Sequence, residues 1–187
     1  MNPETSRPGL SEILQEARQF HEAYDSLLMA TARLNEPAAT YAPYVRDEHS
    51  RFYVYVSELS AHTRNLMNNP RASLLFIEDE SQAQHLFGRK RVTYTCQAEP
   101  VSRESEEFAS IMDRFKDKHG KFMDMLRELR DFHLIRLIPE QASYVRGFAQ
   151  AYELYGEGLN EIRHVNDKGH RAGTAESAQL MDTMAAA

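Results

Sequence analysis

Residues 51–79, RFYVYVSELSAHTRNLMNNPRASLLFIED, change hydrophobic period twice. Arg51–Ser57 is aromatic and β-branched, the composition of a buried strand. Ser60 can cap a helix, and Asn68-Asn69-Pro70 stops one, so Ser60–Pro70 predicts a short helix. Ala72–Glu78 (ASLLFIE) returns to strand composition. The stretch reads strand, helix, strand. Backbone amides at a helix start favour anions, and His62, Thr63, Arg64 and Asn65 add side-chain donors. The plainer reading of the same residues is an ordinary capped helix.

On the N-terminal side, Ser26–Arg33 (SLLMATAR) and Ala39–Arg46 (ATYAPYVR) read as strands. Leu34–Ala38 and Asp47–Ser50 read as turns, and Pro43 predicts a sheet edge or a bulge. Earlier still, Leu10, Ile13, Leu14, Ala17 and Phe20 recur at helical spacing, predicting an amphipathic helix to about Tyr24. Residues 1–8 are polar and read as loose.

On the C-terminal side, Arg89–Ala98 alternates, with Lys90, Val92, Tyr94 and Cys96 facing one way and Arg91, Thr93, Thr95 and Gln97 the other. After Pro100 a helix is expected from Ser102, with Glu104, Glu106 and Glu107 near its positive end. Its buried stripe is Phe108, Ile111, Met112 and Phe115. Gly120 breaks it, and Phe122, Met125, Leu126 and Leu129 mark a second short helix. Phe132–Ile138 and Ala142–Phe148 read as two strands around a turn at Pro139-Glu140-Gln141, with Ala149–Tyr155 continuing the second. Beyond Gly156 the chain is polar, and 172–187 reads as a disordered tail. The expected fold class is mainly β with helices, a small barrel of six or seven strands, as one domain over 9–171.

Composition bounds the function. The 187 residues are 42% hydrophobic and 27% charged, which is globular rather than disordered. A net charge of -6 argues against a general nucleic-acid binder. The single cysteine, Cys96, excludes an internal disulfide and a cysteine-based zinc site. No apolar run approaches the roughly 18 residues of a membrane span, and the opening MNPETSRPGLSE lacks signal-peptide order. A soluble, cytoplasmic protein without membrane insertion is expected. The eight histidines form no HExxH pattern, and GxSxG, GxGxxG and Walker loops are absent.

Three features hold chemical interest, each with two readings. Arg89-Lys90-Arg91 is either a charged strand end that keeps a sheet edge soluble or a clamp for phosphate or carboxylate groups. His164–Arg171 (HVNDKGHR) places two histidines in a polar stretch, where histidine is ordinarily solvated. Asp131, opening a strand, reads as a cap or turn residue.

Taken together, SLLMATAR, TYAPYV, VSELSAHTRNLMNNPRASLLFIED, LFGRKRVTY, PEQASYVRGFAQAY and the late GHR resemble the HugZ/HutZ-type haem-utilisation proteins. These belong to the flavin-binding split-barrel superfamily, whose best-known branch is pyridoxamine-phosphate oxidase. The likeness runs in order from about Leu27 to Arg171. The HTRNL…NP…SLL block marks the superfamily, and RKR with the late GHR points to the haem branch.

The resemblance implies a six-stranded split barrel, a homodimer and a ligand site at the subunit interface. It implies that His170 ligates haem iron and that Asp131, reached from the other subunit, is its carboxylate partner. Arg91 matches an arginine near the haem face, and Lys90 joins it as a haem-binding cation. His62, in the shared block, is not expected to be the ligand. The implied activity is oxygen-dependent opening of the porphyrin to a biliverdin-type product with iron release, fed by an external electron donor. Two alternatives stay open: a non-catalytic haem carrier, and an FMN-dependent oxidoreductase holding the FMN phosphate at the helix start and basic strand.

Overall fold

The computed structural model describes residues 8–165 together with 174–176, 179 and 183. His170 and Arg171, and most of the expected tail, lie outside the described residues. The chain divides into two compact units, residues 24–76 with 93–141, and residues 1–23 with 77–92 and 142–187.

Among the described residues eight strands form in chain order: β1 (Ser26–Arg33), β2 (Glu36–Arg46), β3 (Phe52–Ser57), β4 (Arg71–Ile77), β5 (Arg91–Val101), β6 (Phe132–Gly147), β7 (Gln150–Tyr155) and β8 (Glu161–His164). Their order is β3-β2-β1-β4-β5-β6-β7-β8, and β3 also pairs with β6, closing a six-stranded barrel and leaving two extra strands. The expected split-barrel class is what forms. Among the described residues, no helix is long and apolar enough to cross a membrane.

In the barrel unit, alternation sorts the side chains. Leu27 and Met29 of β1, Leu74 and Phe76 of β4, and Tyr94 and Cys96 of β5 are buried, as period-2 patterning requires. Four rings fill the centre, with Phe52 5.0 Å from Tyr94 and 5.7 Å from both Tyr44 and Phe76. Helix α2 (Ala61–Asn68) connects β3 to β4, and α3 (Glu106–His119) and α4 (Phe122–Glu128) connect β5 to β6. The α3 stripe of Phe108, Ile111, Met112 and Phe115 is buried as expected, against Tyr53, Tyr55 and Leu134. The Ser105 hydroxyl accepts from Phe108 N at 3.1 Å, so Ser105 rather than Ser102 caps α3. The Ser60 side chain makes no cap bond on α2.

In the other unit, α1 (Leu10–Gln19) runs into a 3-10 turn over Phe20–Ala23, together matching the expected first helix. Its own Glu12 carboxylate accepts from Gly9 N at 3.1 Å. Tyr144 at the end of β6 buries against Phe20, with the rings 6.0 Å apart.

Several expectations are corrected. The β1–β2 turn is only Leu34 and Asn35, because Arg33 pairs with Glu36 and the strand runs through Pro37. Arg89 and Lys90 precede β5, and Pro100 lies within it. Phe132–Gly147 is one strand, not two, and Gln150–Tyr155 folds back on it as the antiparallel β7 rather than continuing it. On one edge, pairing with β3 ends at Leu137 and pairing with β7 starts at Ala142. Pro139 lies in that gap, where a missing N–H breaks no bond on this edge. The polar residues after Gly156 form a strand, β8.

Candidate functional site

Asp131 stands in the barrel unit just before β6, at the mouth between β3 and β6. Ser57, the last residue of β3, is in register with Phe132. Its hydroxyl donates to Asp131 Oδ2 at 3.0 Å, and Glu58 N donates to Asp131 O at 2.8 Å. Ser57 is itself held, since the Thr63 hydroxyl donates to Ser57 O at 2.5 Å. The half-buried carboxylate is thus fixed by one oxygen, while Oδ1 has no hydrogen-bond partner among the described residues. A fixed carboxylate with one oxygen to spare can accept an N–H from an incoming imidazole and orient it.

Arg103 braces the same segment. Its guanidinium donates to Arg127 O at 2.9 Å, to Phe132 O at 2.8 Å, to Leu129 O, and to the Tyr55 hydroxyl at 2.8 Å. No sequence signal singled out Arg103, because its partners are backbone carbonyls brought together by the fold.

The start of α2 is spent on structure. Arg64 donates to Glu58 O at 2.7 Å, Asn65 Nδ2 donates to the Thr31 hydroxyl at 3.0 Å, and His62 Nδ1 lies 3.1 Å from the Thr40 hydroxyl. Burial pushes the His62 pKa down, which favours its neutral imidazole.

The basic run belongs to the other unit, where its three cations separate in role. Arg89 donates to Glu78 O through Nε at 3.1 Å and pairs with Glu80 at 3.1 Å, so it fixes the loop before it. Arg91 is half-buried. One Nη donates to Arg89 O at 2.9 Å, and the rest of its guanidinium makes no hydrogen bond among the described residues. Lys90 lines a cavity of about 330 Å³ with Arg146, His85, Gln82, Gln150 and Phe148. A Cβ on Gly88 would come within 2.6 Å of Phe148 N, so only glycine lets the 3-10 turn Leu86–Gly88 close this wall.

Glu16 of α1 organises the cavity's charge and was not singled out by sequence. It accepts from the Tyr144 hydroxyl at 2.7 Å and from Arg146 Nε at 2.8 Å, with Lys90 Nζ at 4.0 Å. Burial works to raise its pKa, but the Arg146 and Tyr144 hydrogen bonds outweigh it and hold the carboxyl below the ordinary range. The ionised form therefore stabilises the folded chain above the ordinary carboxylate pKa, and this is lost as pH falls through the lowered folded value. Glu16→Gln is expected to cost about 1 kcal/mol near neutral pH, after allowance for solvent screening, or about 2–4 °C in unfolding midpoint. Thermal unfolding across pH checks this. The gap from wild type should close in acid, and a pH-independent gap would contradict it.

The pattern of a known family runs through both units. The pyridoxamine 5'-phosphate oxidase family matches residues 13–146. The chain is also 38% identical over 157 residues to heme oxygenase HutZ of Vibrio cholerae serotype O1, covering 83% of this chain and 88% of that protein. The chain belongs to the HutZ-type, pyridoxamine 5'-phosphate oxidase-like split-barrel family.

Solved structures of the family agree with that placement. Campylobacter jejuni ChuZ superposes with a TM-score of 0.78 at 30% identity, over 91% of this chain and 69% of that one. The crystal structure of the Vibrio cholerae HutZ, described there as a heme storage protein, gives a TM-score of 0.65 at 33% identity over 79% and 97%. The non-canonical chloroplastic heme oxygenase HOZ of Arabidopsis thaliana is 29% identical over 65% of this chain, which spans 35% of its length.

Proposed function

We propose that this protein is a haem-degrading oxygenase working as a homodimer. His170 ligates the iron, Asp131 of the other subunit accepts the second imidazole N–H, and Arg91 and Lys90 face the bound haem. The ring opens to a biliverdin-type product and releases iron, with electrons from an external donor. The observation that carries this reading is the 38% identity to a heme oxygenase across 83% of the chain. The spare oxygen of the Ser57-held Asp131 supports the residue roles. A neutral imidazole whose N–H meets a carboxylate donates more strongly to iron, and that is the role given to Asp131.

The dimer has its own support. β1 turns Ser26, Leu28 and Ala30 outward, and their register partners on β2 are Pro43, Tyr41 and Ala39. All six are exposed and none is charged. An uncharged sheet face with Leu28 46% and Tyr41 66% exposed suits a self-complementary contact with a second copy.

A haem carrier is the second reading, favoured by the description of the Vibrio cholerae structure as a heme storage protein. The flavin reading has less support, since the side chains of His62, Thr63, Arg64 and Arg89 that it assigns to the FMN phosphate already serve protein groups.

Haem added to the purified protein should give a Soret band that decays in air once a reductant is supplied. A stable Soret band would leave the carrier. In the same assay Arg91→Ala is expected to lower the decay rate about tenfold or more while haem affinity changes little, because the role proposed for its spare donors is to stabilise the reacting oxygen rather than the axial bond. Wild-type decay in that variant would return Arg91 to a structural role.

A further inference from the structure

Helix α4 has more apolar surface than the core uses. Phe122, Met123, Met125, Leu126 and, at its C-cap, Leu129 cover an arc of about 160° at 100° per residue. Met123 is buried and Leu126 packs on the α3 cluster. Phe122, Met125 and Leu129 form the other half of the arc and are 63%, 52% and 39% exposed. On the polar side Asp124 pairs with Lys116 at 2.8 Å and Arg127 with Asp113 at 3.1 Å. The helix is therefore docked with this stripe facing solvent.

Two observations say what covers it. First, the stripe ends beside Asp131, and Arg103 binds the carbonyls of Arg127, Leu129 and Phe132 together. The end of the stripe and the carboxylate are one braced segment. Second, Lys121 precedes the stripe and Arg130 follows it, both exposed and with side chains that make no hydrogen bond or ion pair among the described residues. An apolar strip with an uncommitted cation at each end fits a flat apolar ligand that carries carboxylates.

We infer that Phe122, Met125 and Leu129 form the apolar wall on which the tetrapyrrole macrocycle rests, with Lys121 and Arg130 placed for its two carboxylates. This rests on the haem reading above and supplies a surface that reading lacked. The Phe122 ring and the Met125 thioether suit contact with a large aromatic face. The wall works without the iron bond, since apolar burial and charge pairing need no metal.

Iron-free protoporphyrin IX is the probe, because it keeps the macrocycle and carboxylates but has no metal for an axial ligand. Full-length wild type should bind it, read by porphyrin fluorescence, and Phe122→Ser/Met125→Ser should weaken binding at least about tenfold. Lys121→Ala/Arg130→Ala should weaken it several-fold, and His170→Ala should leave it unchanged. Should the double serine variant lose its unfolding transition, the single variants Phe122→Gln and Met125→Gln carry the measurement. Wild-type porphyrin affinity in the folded variants overturns the wall while the haem reading stands. Loss of the dimer by sedimentation in the serine variant also overturns it, assigning the stripe to a subunit contact. Porphyrin bound by wild type without any haem Soret band would support the wall and remove the haem-ligand reading.

Discussion

His170→Ala is expected to lower haem affinity by about 100-fold or more, whereas His164→Ala and His62→Ala leave it near wild type. The ligand bond is the one contact that only His170 is proposed to supply, and loss even of an outer partner costs about 10–100-fold in related sites. His62 is buried and in contact with the Thr40 hydroxyl, and burial lowers its pKa, while His164 stacks edge-on to Tyr152 with ring centroids 4.8 Å apart. Asp131→Asn should keep haem bound but alter the axial imidazole, because an amide carries no negative charge to strengthen the N–H bond. Mixing His170→Ala with Asp131→Leu subunits tests the crossing of the interface. In a heterodimer one site carries both defects and the other neither, so about one working site per dimer returns. Heterodimers without recovered activity would refute the cross-subunit pairing, and unchanged haem affinity in His170→Ala would refute the ligand assignment.

Phe52→Ala should cost about 3–5 kcal/mol of folding stability, the loss typical of a large buried ring and the cavity it leaves. Phe52 is fully buried, with Tyr94, Tyr44 and Phe76 packed around it. It also sits on β3, the strand whose pairing with β6 closes the barrel. That loss is a large share of the roughly 5–15 kcal/mol that a domain has in total. Denaturant unfolding measures it, and a loss below about 1 kcal/mol would mean that the four-ring cluster is not the centre of the barrel's stability. Phe52→Leu, which keeps most of the volume, should do far less damage.

The two substitutions act on different levels of the same chain, and the sequence exposes those levels unequally. Position 52 is legible as core because RFYVYVS can be little else than a buried strand. The role of 170 is legible only as a resemblance, since a histidine in HVNDKGHR has no local feature to separate it from a solvated one. Asp131 lies between these cases. Its place before a strand is local, but its hold by Ser57 spans 74 positions of sequence and follows from the β3–β6 register.

What the sequence by itself determined is the set of elements and most of their inward faces: α1, β1, β3, α2, β4 and α3 fall within a few residues of their periodic patterns. Local sterics and hydrophobic period act over a few residues, so they are written locally. Tertiary structure decided the rest. It carried β6 straight through Pro139, because a strand edge without a partner there needs no N–H. It turned the polar run after Gly156 into β8, because pairing with β7 supplied the hydrogen bonds its composition did not advertise. It divided the apolar arc of α4 into a buried half and an exposed half, a choice that helical spacing cannot express because both halves share one period. It also gathered Glu16, Tyr144, Arg146 and Lys90 into one cluster, since charges remote in sequence meet only when the chain brings them together.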